Sequence, residues 1–419
     1  MWDPYAEVQS QTMPNGLTVY AAHWPDRPWE AMGFLIYSGA ECDPVGFEGT
    51  AHFVEHLVSD NSTIPKNEII NFFRNCGGRS SLGTTGFADT HYQFFVPLDK
   101  VILSRAFSIF GQMLIAAKIE KFIEDERKII TREFYMRHPM NFFNDLELRI
   151  RKSLYSGFWL ERFIGAIGLP ESIERISEEV LQSYFDQYYA PANMSIVGVG
   201  GASLTALVDL LKESPFVMEK KGFRIVQPVA VSDLPPPKET HYQFEYSSVI
   251  KTAEPVKFGY YRTVCRIPGN INARKIYLLI LMLSNVLNEE IREKRAWTYD
   301  VDCDWTNHRY FYEIQIMCKA LAPEAIDNIG NIIETIISSI GNRQDLFAQV
   351  KARALAKNFM VDSSGQNMCD EIIRDLYTNQ RIITLMEIYN DLEKVTIKDI
   401  EDLLKWLKPE FRFTLLARP

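Results

Sequence analysis

The sequence predicts an α+β fold made of two similar domains, each an α/β sandwich in which an antiparallel-rich sheet packs against helices. Two observations predict it: strand-like and helix-like patterns follow one another from the N-terminus, and one pattern of helix, proline and strand recurs in both halves of the chain. A chain of 419 residues is also too long for one ordinary core. We therefore expect two domains related by internal duplication.

The chain opens with strands and continues with a helix. The turn signal Pro14–Gly16 precedes strand-like runs at Leu17–His23 and Ala31–Ser38, and a helix is expected from about Thr50. The next expected elements are one strand and two helices, spanning Tyr92–Val96, Val101–Ala117 and Lys121–Met136.

The recurring pattern has two copies, 219 positions apart. Each copy is an amphipathic helix with a hydroxyl residue at its start, then a proline and a strand, as the ends of two similar domains would require. The copies begin at Ile176 and Val395, continue to Pro191 and Pro409, and end in the strands Met194–Val197 and Phe411–Leu416.

The segment between the copies is expected to contain an interdomain linker. Glu213–Glu239 includes Pro235–Pro237 and shows little helical periodicity. We place the boundary near residue 230, which divides the chain into domains 1–229 and 230–419.

Composition and charge argue against several functional classes. The formal charge of −9 argues against a nucleic-acid partner, which requires clustered basic residues. The six cysteines form no CxxC pair and the N-terminus has no apolar run, so we expect reduced thiols, no export signal and a cytoplasmic location. Ile276–Leu287 is the most apolar later stretch and is shorter than the roughly 20 residues of a membrane span. It is expected to be a buried helix.

The motif HxxEH lies in the helix expected from Thr50. Helical spacing places His52, Glu55 and His56 on one face, with an apolar face opposite. Two imidazoles can bind one Zn²⁺ in a tetrahedral site that leaves a position for water, and a neighbouring carboxylate can act as general base. We therefore expect His52 and His56 to be zinc ligands and Glu55 to be the base. The alternative is two helix-face histidines beside a solvated glutamate.

A further protein ligand is expected from another helix. Glu126 and Glu133 lie seven residues apart on the apolar stripe that includes Ile123 and Ile130, where a carboxylate needs a charged partner or a metal. Glu124 lies on a charged face and is expected to be solvated. The alternative for Glu133 is an ion pair with an arginine in the core.

With these residues the sequence resembles the pitrilysin-like peptidases of family M16, whose HxxEH motif marks the inverzincins. The resemblance begins at about residue 12, is carried by Met13–Leu17, Ser38–Glu41 and Ala51–His56, and covers nearly the whole chain. It implies a Zn²⁺ cofactor, Glu133 as the third ligand and Glu126 as a helper glutamate one heptad earlier.

The resemblance also implies a substrate-binding strand. Ser80, Ser81 and Leu82 resemble the glycine-led edge strand to which a peptide substrate adds. The family's usual Asn-Ala is replaced here, and Gly83–Gly86 is one residue longer than the family pattern, which leaves substrate register open. His91 is expected to be a strand or core histidine rather than a fourth ligand.

In the second half, Leu287–Tyr299 resembles the family's arginine-and-tyrosine segment. The resemblance implies that Arg292 and Tyr299 reach the scissile peptide from the opposite half of a closed chamber, where both can donate hydrogen bonds to its carbonyl. The alternative is an exposed arginine at a helix end and a tyrosine that begins a core strand. The chain length resembles the family's short branch of clamshell dimers. We therefore expect a homodimer or a heterodimer with a related subunit.

These expectations combine into a zinc-dependent endopeptidase that encloses short or unfolded peptides. Domain 1–229 would carry the zinc, and domain 230–419 would carry the arginine and tyrosine. One alternative is a non-catalytic scaffold or peptide-binding subunit of the same fold, which the intact ligand set disfavours. A more distant one is a metal-dependent hydrolase of other substrates, which the edge strand disfavours.

Overall fold

The computed structural model describes residues 3–61, 63–137, 141–220, 222, 236–245, 258–308, 310–360 and 364–418. The strands are β1 Gln9–Thr12, β2 Thr18–His23, β3 Trp29–Ile36, β4 Arg79–Thr85, β5 Thr90–Pro97, β6 Met194–Gly200, β7 His241–Glu245, β8 Gly259–Pro268, β9 Asp300–Asn307, β10 Phe311–Leu321 and β11 Arg412–Arg418. The helices are α1 Thr50–Ser59, α2 Lys66–Asn75, α3 Lys100–Leu114, α4 Ile123–Arg137, α5 Asn141–Leu154, α6 Pro170–Arg175, α7 Glu178–Tyr188, α8 Leu204–Lys212, α9 Ala273–Leu287, α10 Ile329–Ser339, α11 Gln344–Lys357, α12 Gly365–Asn379, α13 Leu385–Lys394 and α14 Ile397–Leu403.

The first sheet has six strands in the order β1-β2-β6-β3-β5-β4. Strands β2 and β6 are parallel, and the other neighbours are antiparallel. An aromatic cluster fills one face, where the ring of Phe34 in β3 stacks on Phe110 of α3 and on Phe216, with centroids 4.7 and 5.5 Å apart. Strand β4 forms one edge of this sheet, so its outer backbone groups are not used by another strand of the described chain.

The second sheet repeats the connectivity of the first. Its order is β7-β11-β8-β10-β9, with β7 and β11 parallel and the other neighbours antiparallel. The five strands β2-β6-β3-β5-β4 of the first sheet therefore have the same spatial order, relative to their order in sequence, as the five strands of the second sheet. The expected α+β fold with an internal duplication is therefore confirmed.

Each of the two compact units is assembled from separate stretches of chain. The first contains residues 1–139, 163–227 and 362–384, and the second contains 140–162, 228–361 and 385–419. Helix α12 packs on the first sheet, where a Cβ added to Gly33 would lie 2.4 Å from Ile373. Helix α5 belongs to the second unit, where Glu147 accepts a hydrogen bond from Arg262 at 2.8 Å. The predicted contiguous domains 1–229 and 230–419 therefore differ from the structure at residues 140–162 and 362–384. Each of these segments carries a helix that packs in the unit formed mainly by the other half of the chain.

The helices of the recurring pattern begin at the expected hydroxyl caps. Ser177 accepts a hydrogen bond from the backbone N–H of Val180 at 3.4 Å, and Thr396 accepts one from Asp399 at 3.3 Å. The two terminal strands follow as β6 and β11.

The expected linker begins later than its composition indicates. Phe216 is fully buried in the aromatic cluster, so residues 213–217 are part of the first unit. Residues 223–235, including the boundary near 230, lie outside the described residues. The apolar stretch Ile276–Leu287 lies in α9, and most of its large side chains are buried. None of the helices in the described ranges is long and apolar enough to cross a membrane.

Candidate active site

Helix α1 carries the HxxEH motif and is fixed at its N-terminal end by a buried carboxylate. Asp43 accepts hydrogen bonds from the backbone N–H groups of Gly49 and Ala51 at 2.7 and 2.8 Å, which satisfies donors that have no partner inside the helix. On the opposite face, Phe53 and Leu57 are fully buried. The apolar face thus packs into the core, and the motif faces away from it.

Three side chains from α1 and α4 converge as a candidate metal site. One ligand atom each from His52, His56 and Glu133 lies within 4.8 Å of the others. The Glu133 Oε2 atom is 3.3 Å from His56 Nε2 and 3.8 Å from His52 Nε2. Ligands bound tetrahedrally at about 2.0–2.1 Å from Zn²⁺ lie about 3.4 Å apart. The donor types and the spacing therefore fit a zinc ion with little rearrangement.

The structure distinguishes Glu126 from Glu133. Glu126 is 3% exposed, and its Oε2 accepts a hydrogen bond from His56 Nδ1 at 2.7 Å. That bond fixes the imidazole tautomer and leaves His56 Nε2 facing Glu133, as outer carboxylates do around bound metals. Glu133 also pairs with Arg137, whose side chain is 60% exposed. The arginine partner considered as an alternative therefore lies at the surface of α4 and leaves Glu133 Oε2 facing the histidines.

The two histidines have opposite pKa shifts because their surroundings differ. Burial and the neighbouring His56 lower the pKa of His52 to about 3. Burial acts the same way on His56, but hydrogen bonds with Glu126 and Glu133 outweigh it and raise its pKa to about 9. The hydrogen bond with His56 also lowers the pKa of Glu133 to about 2. His52 and Glu133 thus already hold the protonation states that a metal requires, and His56 would release a proton on metal binding.

Glu55 lies beside the three ligand atoms and outside their group. Its Oε2 is 3.9 Å from His52 Nε2 and accepts a hydrogen bond from Thr85 Oγ1 at 3.1 Å. Burial raises the pKa of this carboxyl, whose residue is 9% exposed. Thr85 was not predicted from the sequence, because a threonine at the end of an edge strand carries no motif of its own.

Strand β4 contains Ser80, Ser81 and Leu82 and lies next to α1. Ser80 and Ser81 pair with Phe94 and Gln93 of β5, and the register then shifts before Thr84. This shift is a β-bulge, in which Leu82 and Gly83 together lie opposite one residue of β5. Leu82 lies within the bulge, and its carbonyl accepts a hydrogen bond from a hydroxyl of α1.

His91 lies in β5, opposite Thr84, and does not belong to the three-residue metal group of the described chain. Its Nδ1 is 2.8 Å from Asp89 Oδ2. Burial disfavours the charged ring, but the hydrogen bond with Asp89 raises the pKa of His91. These contacts match a strand histidine held by a local carboxylate.

Arg292 and Tyr299 lie in the second unit, whereas the zinc ligands lie in the first. Arg292 belongs to the π-helical segment Asn288–Glu293, and its guanidinium carbon is 4.5 Å from the centroid of the Tyr299 ring. Tyr299 is 84% exposed. The two side chains therefore lie against each other, and both are exposed in the described chain.

Comparison with models of known protein families assigns the chain to a family. A family model described as "Insulinase (Peptidase family M16)" matches residues 18–151, and one described as "Peptidase M16 inactive domain" matches residues 175–354. The chain belongs to peptidase family M16. The family resemblance carried by the zinc-helix motif is thereby confirmed.

Several M16 relatives are named as zinc proteases or peptidases. The chain is 29% identical over 185 residues to "Probable zinc protease PqqL" of Escherichia coli, covering 43% of this chain and 20% of the relative. It is 28% identical over 211 residues to "Zinc protease PQQL-like" of Arabidopsis thaliana, covering 48% and 21%. It is 23% identical over 419 residues to mitochondrial-processing peptidase subunit beta of Caenorhabditis elegans, covering 94% and 86%. The chain thus matches about a fifth of the first two relatives and most of the third.

Solved structures share the fold. A protease from Helicobacter pylori superposes with a TM-score of 0.79 at 15% identity, covering 100% of both chains. Pitrilysin superposes with a TM-score of 0.71 at 15% identity, covering 99% of this chain and 45% of its own. At these identities the comparison shows the two-domain M16 fold.

Proposed function

We propose that this protein is a zinc-dependent endopeptidase that cleaves short or unfolded peptides. One observation carries the proposal: His52, His56 and Glu133 form a three-ligand set, and Glu55 lies beside it at 3.9 Å from His52 Nε2 without joining it. Three protein ligands leave a fourth position free, which is typical of catalytic rather than structural zinc sites.

The chain's residues have separate roles in this mechanism. Zn²⁺ held by His52, His56 and Glu133 would polarise the scissile carbonyl and activate water. Glu55 accepts a proton from the attacking water and then donates it to the leaving amine. Glu126 holds the His56 ring through the 2.7 Å hydrogen bond at Nδ1.

Peptide binding is proposed at the free edge of β4. An extended peptide can pair with the outer backbone groups near Ser80, Ser81 and Leu82, since strand addition depends on main-chain hydrogen bonds rather than on particular side chains. Arg292 and Tyr299 are proposed to donate hydrogen bonds to the substrate carbonyl in the closed chamber.

A second subunit is part of the proposal. The relative matched along 86% of its length is a subunit of mitochondrial-processing peptidase. Because this chain has both the zinc set and the arginine-tyrosine pair, a clamshell homodimer can supply both to each site, and a heterodimer with a related subunit is the other arrangement. We propose a cytoplasmic location, which is supported by six cysteines that are all free thiols.

The proposal is tested by the zinc content of the purified protein and by chelator-sensitive cleavage of an unstructured peptide library. Glu55→Gln should retain zinc and lose hydrolysis, because the amide keeps the shape of the side chain but cannot accept the proton. Glu124→Gln is the matched control: its side chain is 74% exposed and pairs with Arg127, so zinc content and cleavage should both be unchanged.

Two outcomes would contradict the proposal. If Glu55→Gln lost as much zinc as His52→Ala, Glu55 would be a ligand rather than the base. If the zinc-loaded wild-type protein bound peptides without cleaving them, the non-catalytic, peptide-binding alternative would be correct.

A further inference from the structure

The carboxylate of Glu55 is held by strand β4 on two sides. On one side, Thr85 Oγ1 donates a hydrogen bond to Oε2 at 3.1 Å. On the other, Gly83 packs so closely that a Cβ added there would lie 2.2 Å from Oε1 and 2.5 Å from the carboxyl carbon. The Glu55 carboxylate is therefore positioned by a hydrogen bond at Oε2 and by close packing at Oε1 against Gly83, where a larger residue would not fit.

The β-bulge brings these two residues to the carboxylate. The register of β4 against β5 shifts between Ser81 and Thr84, and Gly83 within the shift has φ +149°, a region that favours glycine. The bulge is also tied to α1, because Ser59 contacts both the carbonyl of Leu82 and, at 2.9 Å, the backbone carbonyl of Glu55. Strand and helix are thus joined on both sides of the Glu55 side chain.

We propose that Thr85 and Gly83 are positioning residues for Glu55, so that the strand that binds substrate backbone also aims the general base. The inference rests on the proposed function, because it assigns their role to the same hydrolytic site. A carboxylate that accepts a proton must be held close to the attacking water, and a hydroxyl that donates to one oxygen fixes its orientation. The hydroxyl donates to Glu55 and the glycine packs against it, so both act on the reaction through Glu55.

The positioning role of the Thr85 hydroxyl is tested by the variant Thr85→Val, together with two comparison variants. Loss of a hydrogen bond to a charged group predicts a fall in kcat of about 10- to 100-fold, with KM and zinc content unchanged. Thr85→Ser keeps a hydroxyl and should restore kcat. Thr12→Val is the matched control, since Thr12 lies in β1 at the opposite edge of the sheet and its hydroxyl also has a partner, Thr18 Oγ1 at 3.2 Å.

The glycine is tested by Gly83→Ala against Gly77→Ala. Both glycines have positive φ, at +149° and +74°, but a Cβ at Gly77 meets no atom within 4 Å. The alanine at 83 should displace Glu55 and lower kcat, whereas the alanine at 77 reports the effect of an alanine at a positive φ where the added Cβ meets no neighbouring atom. Crystal structures of the chelator-treated variants report the position of the Glu55 side chain independently of activity.

The outcomes separate this inference from the proposed function. A shifted Glu55 side chain in Thr85→Val and Gly83→Ala, with kcat reduced and KM unchanged, supports the inference. Unchanged kcat in Thr85→Val, equal losses in Thr85→Ser, or an unmoved Glu55 in both crystal structures would overturn it. If the zinc-loaded wild-type protein were inactive, the proposed function would fail, and an unmoved Glu55 would still decide against the positioning role.

Discussion

The carboxylate of Glu30 gives the first unit a stability that depends on pH. Glu30 lies in β3 and is fully buried, and Oε2 accepts a hydrogen bond from the backbone N–H of Ala202 at 2.8 Å. Its Oε1 has no hydrogen-bond partner in the part of the chain that the structure describes. Burial raises the pKa of this carboxyl from its usual 4.5 to about 8, although the Ala202 hydrogen bond opposes the shift. Between pH 4.5 and about pH 8, the folded protein therefore holds a proton on Glu30 that the unfolded chain has released.

The sign and size of the effect follow from these two pKa values. Stability from Glu30 is fully present below the unfolded pKa of 4.5 and is lost as pH rises toward the folded pKa of about 8. Each unit of pKa difference corresponds to about 1.4 kcal/mol, so the loss between pH 5 and pH 8 is about 3–4 kcal/mol. This is a large part of the roughly 5–15 kcal/mol that stabilises a typical domain.

Glu30→Gln should remove this dependence. The amide resembles the protonated acid, keeps an oxygen for Ala202 N–H and has no proton to lose at these pH values. Urea denaturation at pH 5, 6.5 and 8 should therefore show the variant gaining stability over the wild type as pH rises. Glu124→Gln, at an exposed glutamate, should follow the wild type throughout. A constant difference between Glu30→Gln and wild type over this range would refute the argument.

The other predictions concern the proposed zinc site and the second subunit. Glu133→Gln should sharply weaken zinc binding measured by metal titration. Glu126→Gln should lower affinity or activity by about 10–100-fold, because Glu126 only orients His56. Strong damage from Glu124→Gln with a mild effect of Glu133→Gln would contradict this assignment of roles. Mixing an Arg292→Ala chain with a Glu55→Gln chain should restore part of the peptide cleavage that each lacks, since one face of a mixed homodimer carries both intact groups. No recovery after subunit exchange, verified by native mass spectrometry, would mean that the pair acts in cis, is dispensable or meets a different partner chain.

The fold could be predicted as far as local patterns determine it. The hydroxyl caps at Ser177 and Thr396 and the strands after Pro191 and Pro409 indicated a duplication, and the identical order of the two sheets confirms it. The exchange of α5 and α12 between units could not be predicted in this way. Both helices are amphipathic, and an apolar face does not specify which of two similar sheets it will cover.

The candidate site was predictable where chemistry depends on helical spacing. His52, Glu55 and His56 were placed on one face by their spacing alone, and the apolar stripe of α4 indicated both Glu126 and Glu133. The stripe could not separate the two glutamates, because seven residues are nearly two helical turns and return to the same face. The family resemblance assigned Glu133 as the ligand and Glu126 as the helper, and in the structure Glu133 joins the ligand group whereas Glu126 contacts His56 Nδ1.

Thr85 and Gly83 were missed for a different physical reason. Their contacts with Glu55 depend on a β-bulge, and a bulge displaces every later side chain of the strand relative to the helix beneath it. The resemblance predicted one extra residue at Gly83–Gly86, but it did not predict a bulge between Ser81 and Thr84.

The non-contiguous units bear on how the chain responds to cutting. Protease cleavage anywhere in 223–235 would give an N-terminal and a C-terminal fragment, yet each compact unit draws residues from both. The C-terminal fragment would keep α12 on the first sheet, with Ile373 against Gly33, and the N-terminal fragment would keep α5 in the second unit, with Glu147 bound to Arg262. A nicked molecule should therefore migrate as one particle under native conditions and separate into two only when it is unfolded.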